Sequence, residues 1–456
     1  MTDSARLGGV GFTRLFLPAA AMMFLASQAA AEPPSVLQIT VDALSADRVD
    51  TPVWAELEGG IDFPAPLRLE EVVGDRREAV PAQLEGSKPP RLWWILAGKT
   101  PAGARRTYRL VAGEPAKAQA VQARKDDSSL EVICAGAKVL RYHQAPVEPP
   151  RGADKVFTRG GYIHPLWSPA GGVLTEDSPA DHLHHKGIWL AWTHTKFEGR
   201  VVDFWNLKEH QGTVRFVEFA SVTSGPVFGG FQARLDHVVF PPSSKEKTGG
   251  KEKAAPKAKP GAEEKPAGQN PAGQTSAPGE KVALREVWDV RVYNVGGPQK
   301  GYWLWDIISA QRCASESPLQ QLQYHYGGLG FRGAKEWAGP AACYLTSEGL
   351  SREKAHGTRA RWCDMSGAIN DRWAGVVMMS HPANFRHPEP MRVWPEPQGK
   401  VFFCFSPSLL GDWTMEAAKD YVFRYRFYVH DGKLDPREAD RFWNDFSQPP
   451  RVEVKR

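Results

Sequence analysis

Short runs rich in β-branched and aromatic residues recur along almost the whole chain, each closed by glycine or proline, and only residues 436–445 carry a helical period. Four such runs (36–41, 67–73, 91–96 and 106–111) precede residue 112 and predict a small β-sandwich over 32–115. Residues 113–127, rich in Ala, Lys and Gln, read as a connector. Runs at 129–134 and 138–143 then read as a hairpin about Gly136, and further strands are expected at 213–219, 229–240, 282–294, 301–312, 374–380, 401–407 and 421–429. Strands at this frequency with almost no helix predict an all-β protein, a large β-sandwich over 128–447 with a small N-terminal β-sandwich module. At 456 residues the chain is too long for one ordinary domain, which agrees with two.

Residues 241–281 are built from Lys, Ala, Pro, Gly and Glu, a composition that cannot offset its ordering entropy by burial. They are expected to form a disordered loop between two strands of the main domain. This stretch also distorts the charge balance: residues 243–281 hold eight Lys and five Glu, three of the five formal positive charges of the chain. What remains is close to neutral, so no nucleic acid is expected as a partner. At the N-terminus, Arg6 and Arg14 precede an apolar run and Ala29-Ala30-Ala31 supplies small residues for cleavage, so 1–31 reads as a signal peptide. Cleavage would leave no stable membrane span and a periplasmic or secreted protein. The five cysteines are widely spaced with no CxxC, which points to neither a disulfide scaffold nor a cysteine zinc site; Cys343 with Cys363 is the candidate pair.

Chemistry-bearing residues concentrate between Tyr162 and Trp205. These forty-four positions hold five of thirteen histidines (His164, His182, His184, His185, His194) and four of sixteen tryptophans. In Asp181-His182-Leu183-His184-His185, an extended backbone would put His182 and His184 on one face, whereas a helical turn would make Asp181 and His185 neighbours. Pro179 and Gly187 favour a loop entering a strand at 188–195, on which Trp192 and His194 would share a face.

Three readings of this cluster stand. His182, His184 and His185 are chemically good ligands for a divalent metal, although no HExxH or matched distant partner accompanies them. Alternatively, His and Asp groups act as general acid and base on a sugar ring, with the aromatics against its apolar face. The third is a set of buried imidazoles satisfied by backbone carbonyls.

Two further constellations lie downstream. In residues 323–332, Tyr326 and Arg332 flank glycines whose spacing is neither GxGxxG nor a P-loop, so the glycines let backbone approach a ligand or form a bulge. Residues 380–394 follow a strand and contain His381, Asn384 and Arg392, polar groups at a strand end where binding residues concentrate.

Residues 181–189 (DHLHHKGIW), 203–205, 326–332 and 380–384 together resemble a family of secreted bacterial proteins labelled PmoA or methane oxygenase, over about residues 130–435. No apolar run after the leader reaches the about 20 residues of a membrane helix, which excludes a membrane methane monooxygenase. The strand-rich body with its His motif is similar to the galactose mutarotase-like supersandwich, whose members act on sugars as epimerases, lyases and hydrolases. That resemblance implies a secreted carbohydrate-active enzyme with a carbohydrate or sugar-derived small molecule as its partner. Asp181, His182, His184, His185 and Asp203 would be catalytic, while His164, Trp189, Trp192, His194, Tyr326, Arg332, His381, Asn384 and Arg392 would bind substrate. No cofactor is required by this reading. The alternatives are a metal-dependent oxygenase or hydrolase with the loop histidines as ligands, and a non-catalytic glycan-binding protein.

Overall fold

The protein is all-β, and its main body is a pair of facing eight-stranded antiparallel sheets. A computed structural model describes residues 35–58, 66–86, 89–242, 278–395 and 399–455. The leader expected at 1–31 and residues 243–277 of the low-complexity segment lie outside them. The site-bearing sheet runs in spatial order Met391–Val393, Phe402–Phe405, Gly328–Arg332, Ile188–Ala191, Tyr162–Leu166, Ala137–His143, Ser129–Cys134 and Gln122–Lys125. The back sheet runs Gly212–Thr223, Phe228–Val239, Lys281–Tyr293, Tyr302–Cys313, Tyr421–Asp431, Arg372–Ser380, Trp362–Ile369 and Ala342–Thr346. The low-complexity segment joins two neighbours of the back sheet, paired from Phe228 opposite Tyr293 to Val239 opposite Lys281.

Alternation explains which faces meet. In Lys281–Tyr293, Leu284, Glu286, Trp288 and Val290 are buried while Arg285 is exposed, the period of two that a strand imposes. Aromatic contacts span the sandwich: Tyr142 meets Phe231 at 4.6 Å between ring centroids, and Phe405 meets Tyr425 at 5.5 Å. The buried carboxylate of Glu286 is saturated by His237, Trp288, Ser309 and Gln311 at 2.5–3.1 Å, as a charge taken out of water must be.

The small sandwich packs Arg451–Lys455, Ser35–Asp42, Arg105–Ala112, Leu67–Val73 and Arg76–Val80 against Arg48–Glu56, Arg91–Thr100 and Ala82–Glu85. Leu37, Ile39, Val41, Trp94, Tyr108 and Leu110 form its core. Its outer strand comes from the C-terminus, beyond the expected boundaries. From Ser35 onward the chain is one compact unit, and polar contacts explain why. The helix Pro436–Ser447, capped by Asp435, carries Asp445, which receives bonds from buried Arg48 and Thr51, both at 2.8 Å. Removing one partner of such a buried pair costs about 3–5 kcal/mol.

Two local expectations are corrected. The run at 188–195 is not one strand: Ile188–Ala191 ends, His194 takes φ +50°, and Thr195–Phe197 joins a separate four-stranded sheet. Cys343 and Cys363 do not pair, and all five cysteines are free. Cys343 stands opposite Ser366 and Cys363 opposite Thr346, an odd offset that sends the two side chains to opposite faces of the sheet.

Gly187 sets the entry of the histidine loop into the sheet. Its φ is +69°, and a Cβ there would lie 2.4 Å from the carbonyl oxygen of Ile163. Gly74 has φ +59° but nothing within 4 Å of such a Cβ. The left-handed backbone alone costs an alanine about 1–2 kcal/mol. In urea unfolding, Gly187→Ala is therefore expected to lose clearly more stability than Gly74→Ala, by about 2 kcal/mol or more; equal losses would show that the close approach does not matter.

Candidate functional site

The histidines sit on a pinned turn. Asp177 and Lys186 form a bridge, Ser178 N donates to His185 O at 2.9 Å, and His182 and His185 N donate to Pro179 and His182 carbonyls at 3.0 and 2.9 Å. At its base Lys186 is fully buried, donating to Ser178 Oγ at 2.5 Å and lying 3.4 Å from Asp177 Oδ1. This turn, not an extended strand, brings the imidazoles together. His182 and His185 stack with centroids 4.7 Å apart, and His184 meets His185 edge-on at 4.6 Å.

Arg332 holds the turn from below. It is wholly buried on Gly328–Arg332, and its Nη2 donates to Asp181 Oδ1 and Oδ2 at 2.9 and 3.0 Å. Its Nε donates to Glu176 Oε2 at 3.3 Å and its Nη1 lies 3.4 Å from His185 Nδ1. Because a guanidinium only donates, His185 Nδ1 accepts and that ring is neutral. Backbone bonds repeat the link: Glu176 N donates to Arg332 O at 3.1 Å and Arg332 N to Gly187 O at 2.7 Å.

The proton inventory follows from these partners. Burial pushes the Asp181 carboxyl up, but the bonds and charge of Arg332, with His182, outweigh it and hold the group below the usual carboxylate range. Asp181 is therefore an ionised acceptor, and its Oδ2 lies 3.1 Å from His182 Nδ1. That nitrogen must carry the proton, so whenever the ring holds a single proton Nε2 is the lone-pair acceptor. Burial, then the charges of His182 and Arg332, pushes His184 down to about 3. The same burial, with His184 and Arg332, holds His185 well below its ordinary value.

Above the turn opens a cavity of about 280 Å³ lined by His182, His184, His185, Trp205, Asn206, His325, Tyr326, Arg392, Trp394 and Phe402. A second depression, of about 490 Å³, shares His182, His184 and Asn206 with it and is also lined by Asp181, Asp203, Lys208 and Glu209. The residues common to both are thus two imidazoles and an amide. Asn206 is fixed by Asp203 and accepts the Tyr326 hydroxyl proton at 2.9 Å. Burial, with Tyr324 beside it, pushes the Tyr326 hydroxyl up, so it stays protonated.

A larger cleft, about 830 Å³, lies between the small sandwich and the back sheet. Two of its arginines are ion-paired, Arg426 with Asp306 at 2.7 Å and Arg291 with Asp289 at 2.6 Å. It is a seam between the small sandwich and the back sheet.

The structure gathers His182, His184, His185, Tyr326 and Arg392 at the cavity, with Asp181 and Arg332 directly behind them. The other expected residues do different work. Asp203 accepts four bonds, from Thr193 Oγ1, Trp205 N, Asn206 N and Asn206 Nδ2, and is spent on shaping the turn after it. Trp189 is fully buried beneath His185 and Trp205, at 5.0 and 4.7 Å, and cannot stack on a ligand. Trp192 is also in the core, donating to Gln311 at 2.8 Å against Trp413 and Phe423. His194 is exposed and stacks on Tyr324 at 4.0 Å. His164 bonds Thr175 at 2.9 Å away from the lining, and burial lowers it to about 4.

The 380–384 motif is a latch. Asn384 exchanges bonds with the Arg424 backbone at 2.8 and 2.9 Å and donates to buried Glu389, and His381 packs on Phe446 of the C-terminal helix at 4.9 Å. Neither lines the cavity.

Trp205, Asn206, His325, Trp394 and Phe402 were missed as site residues. Trp394 lies two residues beyond Arg392, so strand alternation already put it on the same face. His325 directly precedes Tyr326, and Asn206 directly follows the 203–205 motif. Phe402 sits on a neighbouring strand, where only pairing reveals it. The glycines at 327–330 serve packing: a Cβ at Gly330 would meet Trp205 at 2.7 Å and Trp189 at 3.1 Å.

Among the described residues no group of three or more His, Cys, Asp or Glu side chains is arranged to hold a metal ion, since the loop imidazoles meet through faces and edges. No helix among them is long and apolar enough to cross a membrane.

Fold and site define an all-β sandwich protein with a histidine-walled cavity at one end of a sheet. The chain belongs to the family described as "Family of unknown function (DUF6807)", whose model matches residues 129–444. No curated protein matches it. One similar solved structure is "a Protein in the Glycosyl Hydrolase Family 38 from Enterococcus faecalis", 10% identical, with TM-score 0.39, covering 92% of this chain and 47% of that one. The chain spans about half the length of that protein.

The depressed His184 has a consequence for stability. In the unfolded chain its imidazole takes a proton below about pH 6.5, whereas in the folded protein it does so only near 3. The unfolded state thus binds the proton first, and stability falls as pH drops through that window. Between pH 6.5 and 4.5, above the range in which Asp181 titrates, His184→Gln is expected to show a flatter fall of the urea midpoint than wild type, by up to one proton. Identical slopes would show that His184 is not desolvated.

Proposed function

We propose that this is a secreted or periplasmic carbohydrate-active protein whose cavity holds one sugar ring and in which His182 transfers a proton to or from that ring. The observation that supports this reading most is the chain Arg332–Asp181–His182. An ionised carboxylate, itself clamped by a buried guanidinium, fixes one imidazole tautomer so that Nε2 is the free acceptor on a side chain lining the cavity. Asp181 is the positioning residue and His182 the catalytic one.

The rest of the lining suits a sugar. A cavity of about 280 Å³ lies at the small end of ligand sites, which start at about 300 Å³. Trp205, Trp394 and Phe402 offer apolar faces to ring C–H groups, while Asn206 and the Tyr326 hydroxyl offer hydrogen bonds to hydroxyls. His184 and His185, neutral at physiological pH, complete a wall that does not compete electrostatically with a proton leaving the ligand. Epimerases, lyases and hydrolases of sugars share this need for one positioned proton-transfer group.

The test is turnover on aldoses, uronates and aryl glycosides, followed by exchange of ring protons in deuterated water and by release of the aryl group. His182→Gln is expected to lower kcat by about 10²–10⁴-fold with KM nearly unchanged. Asp181→Asn should lower kcat less and alter its pH profile, because it acts through His182. Wild-type turnover in His182→Gln would overturn the assignment, and sugar binding without turnover on any substrate would replace the enzyme with a glycan-binding protein.

A further inference from the structure

Arg392 stands apart from the arginines around it. Arg352, on the adjoining segment, donates to four carbonyls, those of Gly339, Trp394, Gly399 and Lys400. Arg386 donates to the carbonyls of Pro407, Gly411 and Asp412, and Arg332 to two carboxylates. Arg392 lines the cavity on Met391–Val393, and among the described residues its single hydrogen-bond partner is His356, 3.3 Å from Nη1. Its Nε is buried with no partner. A guanidinium only donates, so His356 Nε2 accepts and this ring too is neutral.

Among the described residues, the ten that line the cavity include no carboxylate; the acids Asp181, Asp203 and Glu209 line the other depression. His325, beside Tyr326, adds a further ring nitrogen donor or acceptor to the same wall. A half-buried guanidinium whose buried Nε has no partner and whose one hydrogen bond goes to a neutral ring is left with donors to spend, and its planar fork matches the two oxygens of a carboxylate in geometry as well as charge.

We propose that the ligand is an acidic sugar, its carboxylate held by Arg392 with His325 beside it, while Trp394 and Trp205 take the ring face. This rests on the sugar-site reading above and narrows its substrate class to uronic acids. The Asp181 carboxylate is already neutralised by Arg332, so it does not serve as the partner of Arg392.

The experiment is titration calorimetry of the full chain with D-glucuronate and D-galacturonate against D-glucose and D-galactose, in wild type, Arg392→Gln, Arg392→Lys and Trp394→Ala, each checked for a wild-type unfolding midpoint. Uronates are expected to bind about 10- to 100-fold more tightly than the parent hexoses. Arg392→Gln should abolish the difference, Arg392→Lys should keep part of it, and Trp394→Ala should weaken both kinds of sugar. Equal binding of hexoses and uronates would overturn the acidic-sugar assignment, a uronate preference that survives Arg392→Gln would overturn the role of Arg392, and either result would leave the sugar site standing. Binding of glucose 6-phosphate without binding of either uronate would also overturn it. Failure of every sugar to bind would overturn both readings.

Discussion

The buried guanidinium of Arg332 is the contact on which the rest of the site depends. Without it Asp181 and Glu176 would face each other as two carboxylates at the edge of the core, and the turn between them would lose its floor. Being fully buried, the arginine is held by the sheet through its own backbone bonds, so its position is as rigid as the sandwich. Two strands and a loop are thereby made into one body. The polarity of His182 is the outermost consequence of a charge placed in the core.

Neutrality of the remaining imidazoles is the second organising fact. His184 and His185 pack against each other and against Phe402 and Trp189, and burial keeps them uncharged. Protonating either would put a cation next to Arg332. The two depressions that share His182, His184 and Asn206 differ in character, one lined by Asp181, Asp203 and Glu209 with Lys208, the other by Arg392 and aromatic faces. A substrate reaching from one to the other would pass His182, the one ring in contact with an ionised carboxylate.

Much of this was legible in the residues, for reasons that are themselves physical. Ser129–Cys134 has the expected bounds because Leu130, Val132 and Cys134 are buried while Glu131 and Ile133 between them are partly exposed, which writes a period of two into the sequence. Trp362–Ile369 was not expected, because it is buried on both faces and carries Asp364, Ser366 and Gly367; Asp364 accepts from Ser366 and pairs with His430, a residue far off in sequence. Arg451–Lys455 was missed because a short edge strand with charged outward residues resembles a solvated tail. The histidine loop announced itself by density. What could not be read was burial: Trp189 and Trp205 are equally aromatic neighbours of the loop, yet one is beneath the cavity and the other lines it, and that depends on Gly330 and on strand pairing across residues far apart in sequence.

The claim that Asp181, clamped by Arg332, fixes the proton on His182 can be measured directly. Nitrogen-15 NMR of the histidine side chains near neutral pH distinguishes the two tautomers of each ring. The account requires His182 to be protonated on Nδ1 with Nε2 bare, and requires that preference to disappear in Asp181→Ala. A His182 ring protonated on Nε2, or one indifferent to the loss of Asp181, would contradict it.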